Sequence, residues 1–408
     1  MALRGFRVFP YILSLLVISE ASIGSPDGAS AENASSNSQQ KLIDDYTLAT
    51  ISTEAKEAII MDFSTGAILF QKNALSRTAP SSMTKLMLMY VAFQAIQDRK
   101  LDLNTTAIVS ETAWRMSGSK MFLEAGSEVR LEDLIRGIIV QSGNDACIVL
   151  ADKLFGSEDV CVQHMNATAS KVGMRSSRFK NSHGLTDEGH FSSVYDLAVL
   201  ARRFISDFPE YYHYFSEKEF TYSDIHQYNR NNLLWQDIGV DGIKTGLTEA
   251  GGYGVIVSAI RDGRRIVVVI NGCKSARSRT HEARKLLEFR YSQFANHVFA
   301  DTKGIYGQMK VNLGKKSAVD LVVDGGVYAI TVPSHLLNSL QASLSCNEVA
   351  APVKKGQKLA TLRFEFKENP ALSFEFPLIA AEDVEELNFF IRLWEKAKQT
   401  VRSLWPGK

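Results

Sequence analysis

Pro80-Ser81-Ser82-Met83-Thr84-Lys85-Leu86-Met87 opens a segment in which Met83, Leu86, Met87, Tyr90, Val91 and Ala95 recur at helical spacing. That periodicity predicts a helix from about Ser82 with one buried face. Ser82 and Lys85 fall three positions apart, which sets a hydroxyl and an amine one turn apart on the same face. Upstream, Ile59-Ile60-Met61, the turn Ser64-Thr65-Gly66 and Ala67-Ile68-Leu69-Phe70 form a β-hairpin. Downstream, a second helix carries Leu131, Leu134, Ile135 and Ile138. A break at Gln141 to Asn144 separates it from a third, through Ile148, Val149 and Leu154. A second β-region begins near Val240. Gly254 to Ile260 is a strand, Asp262-Gly263 a hairpin turn and Arg265 to Asn271 the return. Helical spacing resumes at Ala283, Leu286, Leu287 and Phe289. Strands at both ends with helices between them predict an α+β domain over residues 45–298, with one sheet joining the two terminal hairpins.

Short β-prone runs follow, at Val319 to Val323, Tyr328 to Thr331 and Leu359 to Phe366. They are punctuated by Gly325-Gly326, Lys354-Lys355-Gly356 and Asn369-Pro370. They predict a small all-β domain over residues 299–381. Helical periodicity returns over residues 382–408, where Leu387, Phe390, Ile391, Trp394, Ala397, Val401 and Leu404 share one face. Arg392, Lys396, Lys398 and Arg402 lie around the rest, the pattern of an amphipathic helix resting on an anionic membrane surface. At the other end, Arg4 and Arg7 precede the apolar run Phe9 to Ile18 and then small residues. Residues 1–31 read as a secretory signal, too short in its apolar part to span a bilayer, and residues 32–44 as a disordered polar leader.

The 408 residues carry a formal net charge of +1, which argues against nucleic acid as a partner. Export permits disulfides, but Cys147, Cys161, Cys273 and Cys346 are too scattered for a disulfide framework and lack zinc-site spacing. Buried free thiols are expected for most of them, and no metal or cofactor is expected.

A serine hydroxyl needs a base to become a nucleophile, and Lys85 serves if burial and a neighbouring cation leave it neutral. Two further triplets complete the set. Ser142-Gly143-Asn144 lies in the break between two helices, and Lys244-Thr245-Gly246 on a strand leading to Gly251-Gly252. The three together, in this order, are the signature of β-lactamases and penicillin-binding proteins.

The chain further resembles the low-molecular-mass penicillin-binding proteins, serine-type D-alanyl-D-alanine carboxypeptidases of peptidase family S11. The likeness runs through Pro80 to Met87, Met121 to Gly126, Gln141 to Ala146, Asn229 to Asn231, Val240 to Thr248 and Ala351 to Gln357. It implies a periplasmic enzyme held on the outer face of the cytoplasmic membrane. Its substrate would be the peptidoglycan stem peptide ending in D-Ala-D-Ala, and β-lactam antibiotics would acylate it. On that resemblance Ser82 attacks, Lys85 takes the proton, Ser142 relays a proton and Asn144 positions Lys85. Lys244, Thr245, Arg230 and Arg279 meet the substrate carboxylate, with Gly246 in the third triplet. The backbone N–H groups of Ser82 and Leu247 form the oxyanion hole. Several relatives carry His where Leu247 stands, a change expected to tune activity.

Rival readings are weaker. A class A β-lactamase needs Glu four residues before Asn between the second and third triplets, and no such pair occurs. A D,D-endopeptidase of the superfamily usually lacks the β-domain and tail. An intact Ser82, Lys85, Asn144 and Lys244 set argues against a non-catalytic scaffold. Neither His-Glu-x-x-His nor Gly-x-Ser-x-Gly is present.

Overall fold

The computed structural model describes residues 50–99, 101–301, 304–324, 327–346, 348–367, 369–391 and 394. The expected signal and leader therefore lie outside the described residues. One compact unit runs to Ser292 and a second begins at Gln293. The strand Phe294–Asp301 crosses the junction expected at residue 298 and pairs with Val327–Pro333, within the second unit.

The first unit is built on a five-stranded antiparallel sheet. Its strands are β1 (Glu57–Asp62), β2 (Ile68–Lys72), β7 (Val240–Thr248), β8 (Gly252–Arg261) and β9 (Arg264–Cys273), in the order β2-β1-β9-β8-β7. The two hairpins meet where Ile59 pairs with Val269 and Ile60 with Val268. Arg261 pairs with Arg264 across Asp262-Gly263, whose φ angles of 50° and 73° give the doubly left-handed turn that a two-residue hairpin favours. Two minor hairpins, β3–β4 (Thr106–Ile108, Glu128–Arg130) and β5–β6 (Glu219–Tyr222, Ile225–Tyr228), lie among the helices.

The helices are α1 (Lys85–Arg99), α2 (Glu111–Trp114), α3 (Leu131–Arg136), α4 (Asn144–Phe155), α5 (Glu158–Lys171), α6 (Val194–Asp207) and α7 (Ala276–Gln293). The sequence predicted one buried face for α1. Instead it is buried on nearly all sides from Lys85 to Val91, and again at Ala92, Phe93, Ala95 and Ile96. It packs against α4, α5 and α6, the position of a helix that is apolar all round. Residues Ser81–Thr84 form a 3-10 turn that precedes α1, so Ser82 stands before the α-helix proper. The second predicted helix stops at Arg136 and gives way to a wider π turn over Gly137–Gln141.

The second unit contains a six-stranded sheet. Its strands, β11 (Gly307–Asn312), β12 (Ala318–Val323), β14 (Leu340–Cys346), β15 (Val349–Ala350), β16 (Lys358–Phe366) and β17 (Asn369–Ala380), run in the order β14-β16-β17-β12-β11-β15. Strands β10 (Phe294–Asp301) and β13 (Val327–Pro333) form a separate pair. Alternation along β16 buries Ala360, Leu362, Phe364 and Phe366 against Phe374, Phe376 and Leu378. The predicted terminal helix does not begin at Glu382. Val384 bridges to Val353 and Glu386 to Gly314, and helical geometry starts at Phe389. Arg392, Lys396, Lys398, Val401, Arg402 and Leu404 lie outside the described residues.

An ion pair closes the first unit across the chain. Arg290 on α7 donates from Nη2 to Asp62 Oδ2 at 2.9 Å, and both side chains are fully buried. Asp62 Oδ1 also accepts from Thr65 N at 2.9 Å, tying the pair to the first hairpin. Removing one partner strands a buried charge, so Arg290→Met should cost about 3–5 kcal/mol. Adding Asp62→Leu to it should restore part of that loss. Urea unfolding of the two variants checks this, and equal losses would mean the charges are not coupled.

Candidate active site

The sequence folds Ser82 and Lys85 together because residues three apart eclipse one another in a 3-10 turn. Lys85 Nζ lies 3.1 Å from Ser82 Oγ. The amine has no exposure to solvent, and it donates to Asn144 Oδ1 at 2.8 Å and to the carbonyl of His183 at 2.6 Å. Burial, followed by the field of Arg230, pulls its pKa down to about 8, against the opposing charge of the Asp145 carboxylate.

The approach of neighbouring backbones is close enough to require glycine. A Cβ on Gly184, whose φ is +86°, would meet Ser81 O at 1.9 Å, and one on Gly246 would meet Pro80 O at 3.0 Å. The loop before His190 and the strand β7 therefore clamp the nucleophile turn from two directions. Thr84 Oγ1 lies 2.9 Å from His190 Nε2, and Ser81 Oγ lies 2.8 Å from Thr248 Oγ1.

Ser142 follows the π turn in the left-handed region, with φ 68° and ψ 33°. Its Oγ is buried and has no hydrogen-bond partner among the described residues. An unsatisfied buried hydroxyl costs free energy, and this one lines the cleft beside Ser82. Asn144 is the first residue of α4, with Gly143 at the capping position. Its Nδ2 donates to Ser117 O at 2.8 Å, which leaves Oδ1 facing Lys85. Asp145, given no role from sequence, accepts from the backbone N–H groups of Met121, Phe122 and Leu123 at 2.8, 2.9 and 3.2 Å.

On β7, Lys244 is 3% exposed, and its pKa is held well below the usual value by burial and then by Lys85 and Arg230. Thr245, Gly246 and Leu247 line a cleft of about 520 Å³ with Ser82, Ser142, Arg230 and Arg279. Leu247 is 52% exposed. Arg230 donates to Ser119 Oγ at 2.9 Å, and Arg279 donates to the carbonyl of Arg230 at 3.0 Å. All ten residues singled out from sequence thus fall in one region. The sequence reading missed Ser119, Asp145 and the His183 carbonyl. A main-chain acceptor and a carboxylate serving three N–H groups carry no side-chain signature. No group of His, Cys, Asp and Glu suited to a metal occurs among the described residues. Cys147, Cys161 and Cys273 are buried free thiols.

Residues 44–275 match the peptidase S11 family, described as D-alanyl-D-alanine carboxypeptidase, and residues 295–386 match the C-terminal domain of penicillin-binding protein 5. The chain is 38% identical over 360 residues to the D-alanyl-D-alanine carboxypeptidase DacC of Escherichia coli, covering 86% of this chain and 89% of that protein. Penicillin-binding protein 5 of Haemophilus influenzae superposes with a TM-score of 0.73 at 33% identity, covering 82% of this chain and 99% of that one. Penicillin-binding protein D2 of Listeria monocytogenes, solved in its ampicillin-bound form, gives a TM-score of 0.54 at 27% identity over 59% of this chain and 98% of that one.

Two histidines stand behind the cluster. His183 and His190 are each 7% exposed, and burial pushes both pKa values down to about 4. Between pH 4 and the ordinary value of 6.5 the unfolded chain binds more protons at these rings than the folded one. Their contribution is therefore complete above about pH 6.5 and is lost as pH falls through about 4, on the order of 3 kcal/mol for each ring. His190→Gln should flatten the acid side of the stability profile. Urea midpoints at pH 7 and pH 4.5 check it, and equal slopes in both proteins would refute the assignment.

Proposed function

Because this chain belongs to peptidase family S11, the D-alanyl-D-alanine carboxypeptidases, we propose that Ser82 is its nucleophile and Lys85 its base. The substrate is a peptidoglycan stem peptide ending in D-Ala-D-Ala. The observation that carries this reading is the environment of Lys85 Nζ. A neutral amine has two N–H bonds and one lone pair. Asn144 Oδ1 and the His183 carbonyl take the two donors, leaving the lone pair for the Ser82 hydroxyl at 3.1 Å. With its pKa near 8, roughly a tenth of the amine is neutral at pH 7.

The reaction then runs in two halves. Ser82 Oγ adds to the carbonyl carbon between the two D-alanines while its proton passes to Lys85. The oxyanion meets the backbone N–H groups of Ser82 and Leu247. The C–N bond breaks as the leaving D-alanine takes a proton through Ser142 Oγ, whose unpartnered, buried hydroxyl suits that relay. Water then hydrolyses the ester. Lys244 keeps the local potential positive, and Thr245, Arg230 and Arg279 bind the terminal carboxylate. Gly246 lets β7 lie against the nucleophile turn. A β-lactam enters by the same attack and remains as a Ser82 ester.

Ser82→Ala should lose both D-alanine release and the benzylpenicillin adduct in intact-mass spectra. Lys85→Arg should slow acylation by about 10²–10⁴-fold, because arginine cannot be deprotonated. Wild-type acylation should rise with pH through about 8, as the Lys85 amine loses its proton. An adduct surviving in Ser82→Ala would reject the nucleophile, and an Arg variant within about tenfold of wild type would reject the base.

The working site we propose is the outer face of the cytoplasmic membrane, reached by export through residues 1–31. Phe389, Phe390, Ile391 and Trp394 are 47–82% exposed at the end of the β-rich unit, an apolar surface suited to a lipid interface. No helix among the described residues is long and apolar enough to cross a membrane. Truncation after Asn388, just beyond the bridges of Val384 and Glu386, should abolish cosedimentation with anionic vesicles and leave cleavage of small peptides intact. Loss of peptide cleavage on truncation would assign the tail to the fold instead.

A further inference from the structure

The 3-10 turn Asn232–Trp235 directs its residues to two sides. Leu233 and Leu234 are buried, while Asn232 and Trp235, three apart and therefore eclipsed, share the outward face. The Asn231 side chain holds the start of the turn by accepting from Leu233 N at 3.3 Å. Trp235 is 44% exposed and Tyr228, at the end of β6, is 61% exposed. With Asn229 and Asn232 they line a depression of about 300 Å³. Tyr228, Asn229 and Asn232 also line the catalytic cleft, so the two hollows adjoin. Two aromatic side chains left open at the rim of a cleft suit an amphipathic ligand.

The position of this depression identifies what it receives. It flanks Arg230, at the end of the cleft where the proposed function, on which this inference rests, puts the terminal carboxylate. A terminal D-alanine offers only a methyl group there, which leaves two aromatic rings and an amide without use. We propose that Tyr228, Asn232 and Trp235 form a leaving-group subsite that takes the side chain of a terminal D-amino acid larger than alanine. The carboxylate stays on Arg230 and Thr245 while the side chain lies between the rings. The chemistry balances as before. Ser82 acylates on the penultimate D-alanine, the C–N bond breaks, the larger D-amino acid departs with a proton, and water releases the ester.

The test compares two N-acylated peptides that differ only at the last residue, one ending D-Ala-D-Ala and the other D-Ala-D-Phe. Each is cleaved by the full mature enzyme, with amino-acid release measured by chromatography. The wild type should cleave the two with kcat/KM values within about tenfold of one another, since the rings hold the larger side chain as the bond breaks. Trp235→Ala and Tyr228→Ala should each lower the D-Phe to D-Ala ratio of kcat/KM by at least about fivefold. The ratio cancels any general loss of folded enzyme. A wild type that releases D-alanine but not D-phenylalanine overturns the subsite and leaves the carboxypeptidase reading standing, as does a ratio unmoved in both variants. Release of neither amino acid overturns both.

Discussion

A lysine amine held out of water at the centre of the first unit is the constraint around which the rest is arranged. Lys85 has no solvent exposure, and an ammonium in such a place costs several kcal/mol unless it is paired or neutral. Here the nearest charged neighbours include other cations. Arg230 pushes the amine toward neutrality, and Lys244 is pushed down by Lys85 in turn. The two acceptors that meet the amine, Asn144 Oδ1 and the His183 carbonyl, come from a helix start and a loop far apart in sequence. Helix α1 must therefore be buried along its whole first half, with α4 and the 175–192 loop brought against its beginning.

The irregular backbone of the site follows from that demand. A regular helix through Gly137–Gln141 would carry Ser142 onward along α3. The π turn and the left-handed Ser142 instead redirect the chain, so that Ser142 faces the cleft and Asn144 begins a new helix. Such departures are costly and persist where surrounding contacts over-determine them. Asp145 supplies that determination by accepting three successive N–H groups from Met121 to Leu123, which fixes the segment next to Ser119 and hence the partner of Arg230. The clamp on the other side depends on Gly184 and Gly246, where a side chain would collide with the turn carrying Ser82.

The β-rich unit follows simpler rules. Alternation along β16 buries Ala360, Leu362, Phe364 and Phe366 on one face, where they meet Phe374, Phe376 and Leu378 of β17. Its pattern is legible as strands because a period of two needs only neighbours on the same strand. The tail is less so. Helical periodicity runs back to Glu382, yet Val384 and Glu386 are captured by bridges to Val353 and Gly314, and tertiary pairing overrides the local preference until Phe389.

The hairpins, the Asp262-Gly263 turn, the run of helices and the seven motif residues Ser82, Lys85, Ser142, Asn144, Lys244, Thr245 and Gly246 were legible from sequence, whereas Arg230, Arg279 and Leu247 came only from the family resemblance. The elements, the turn and the seven motif residues are signalled locally, by periodicity, turn chemistry or a short motif. Only the tertiary structure decided which backbone groups meet Lys85, that Ser82 sits in a 3-10 turn, and that Asp62 is matched to an arginine 228 residues away. It also decided that Trp235 and Tyr228 stand open to solvent. The reason is physical. Hydrophobic spacing reports which side of an element is buried. The partner of a charge, the acceptor of an amine and the conformation of a turn depend on what the folded chain brings up against them, and no nearby residue encodes that.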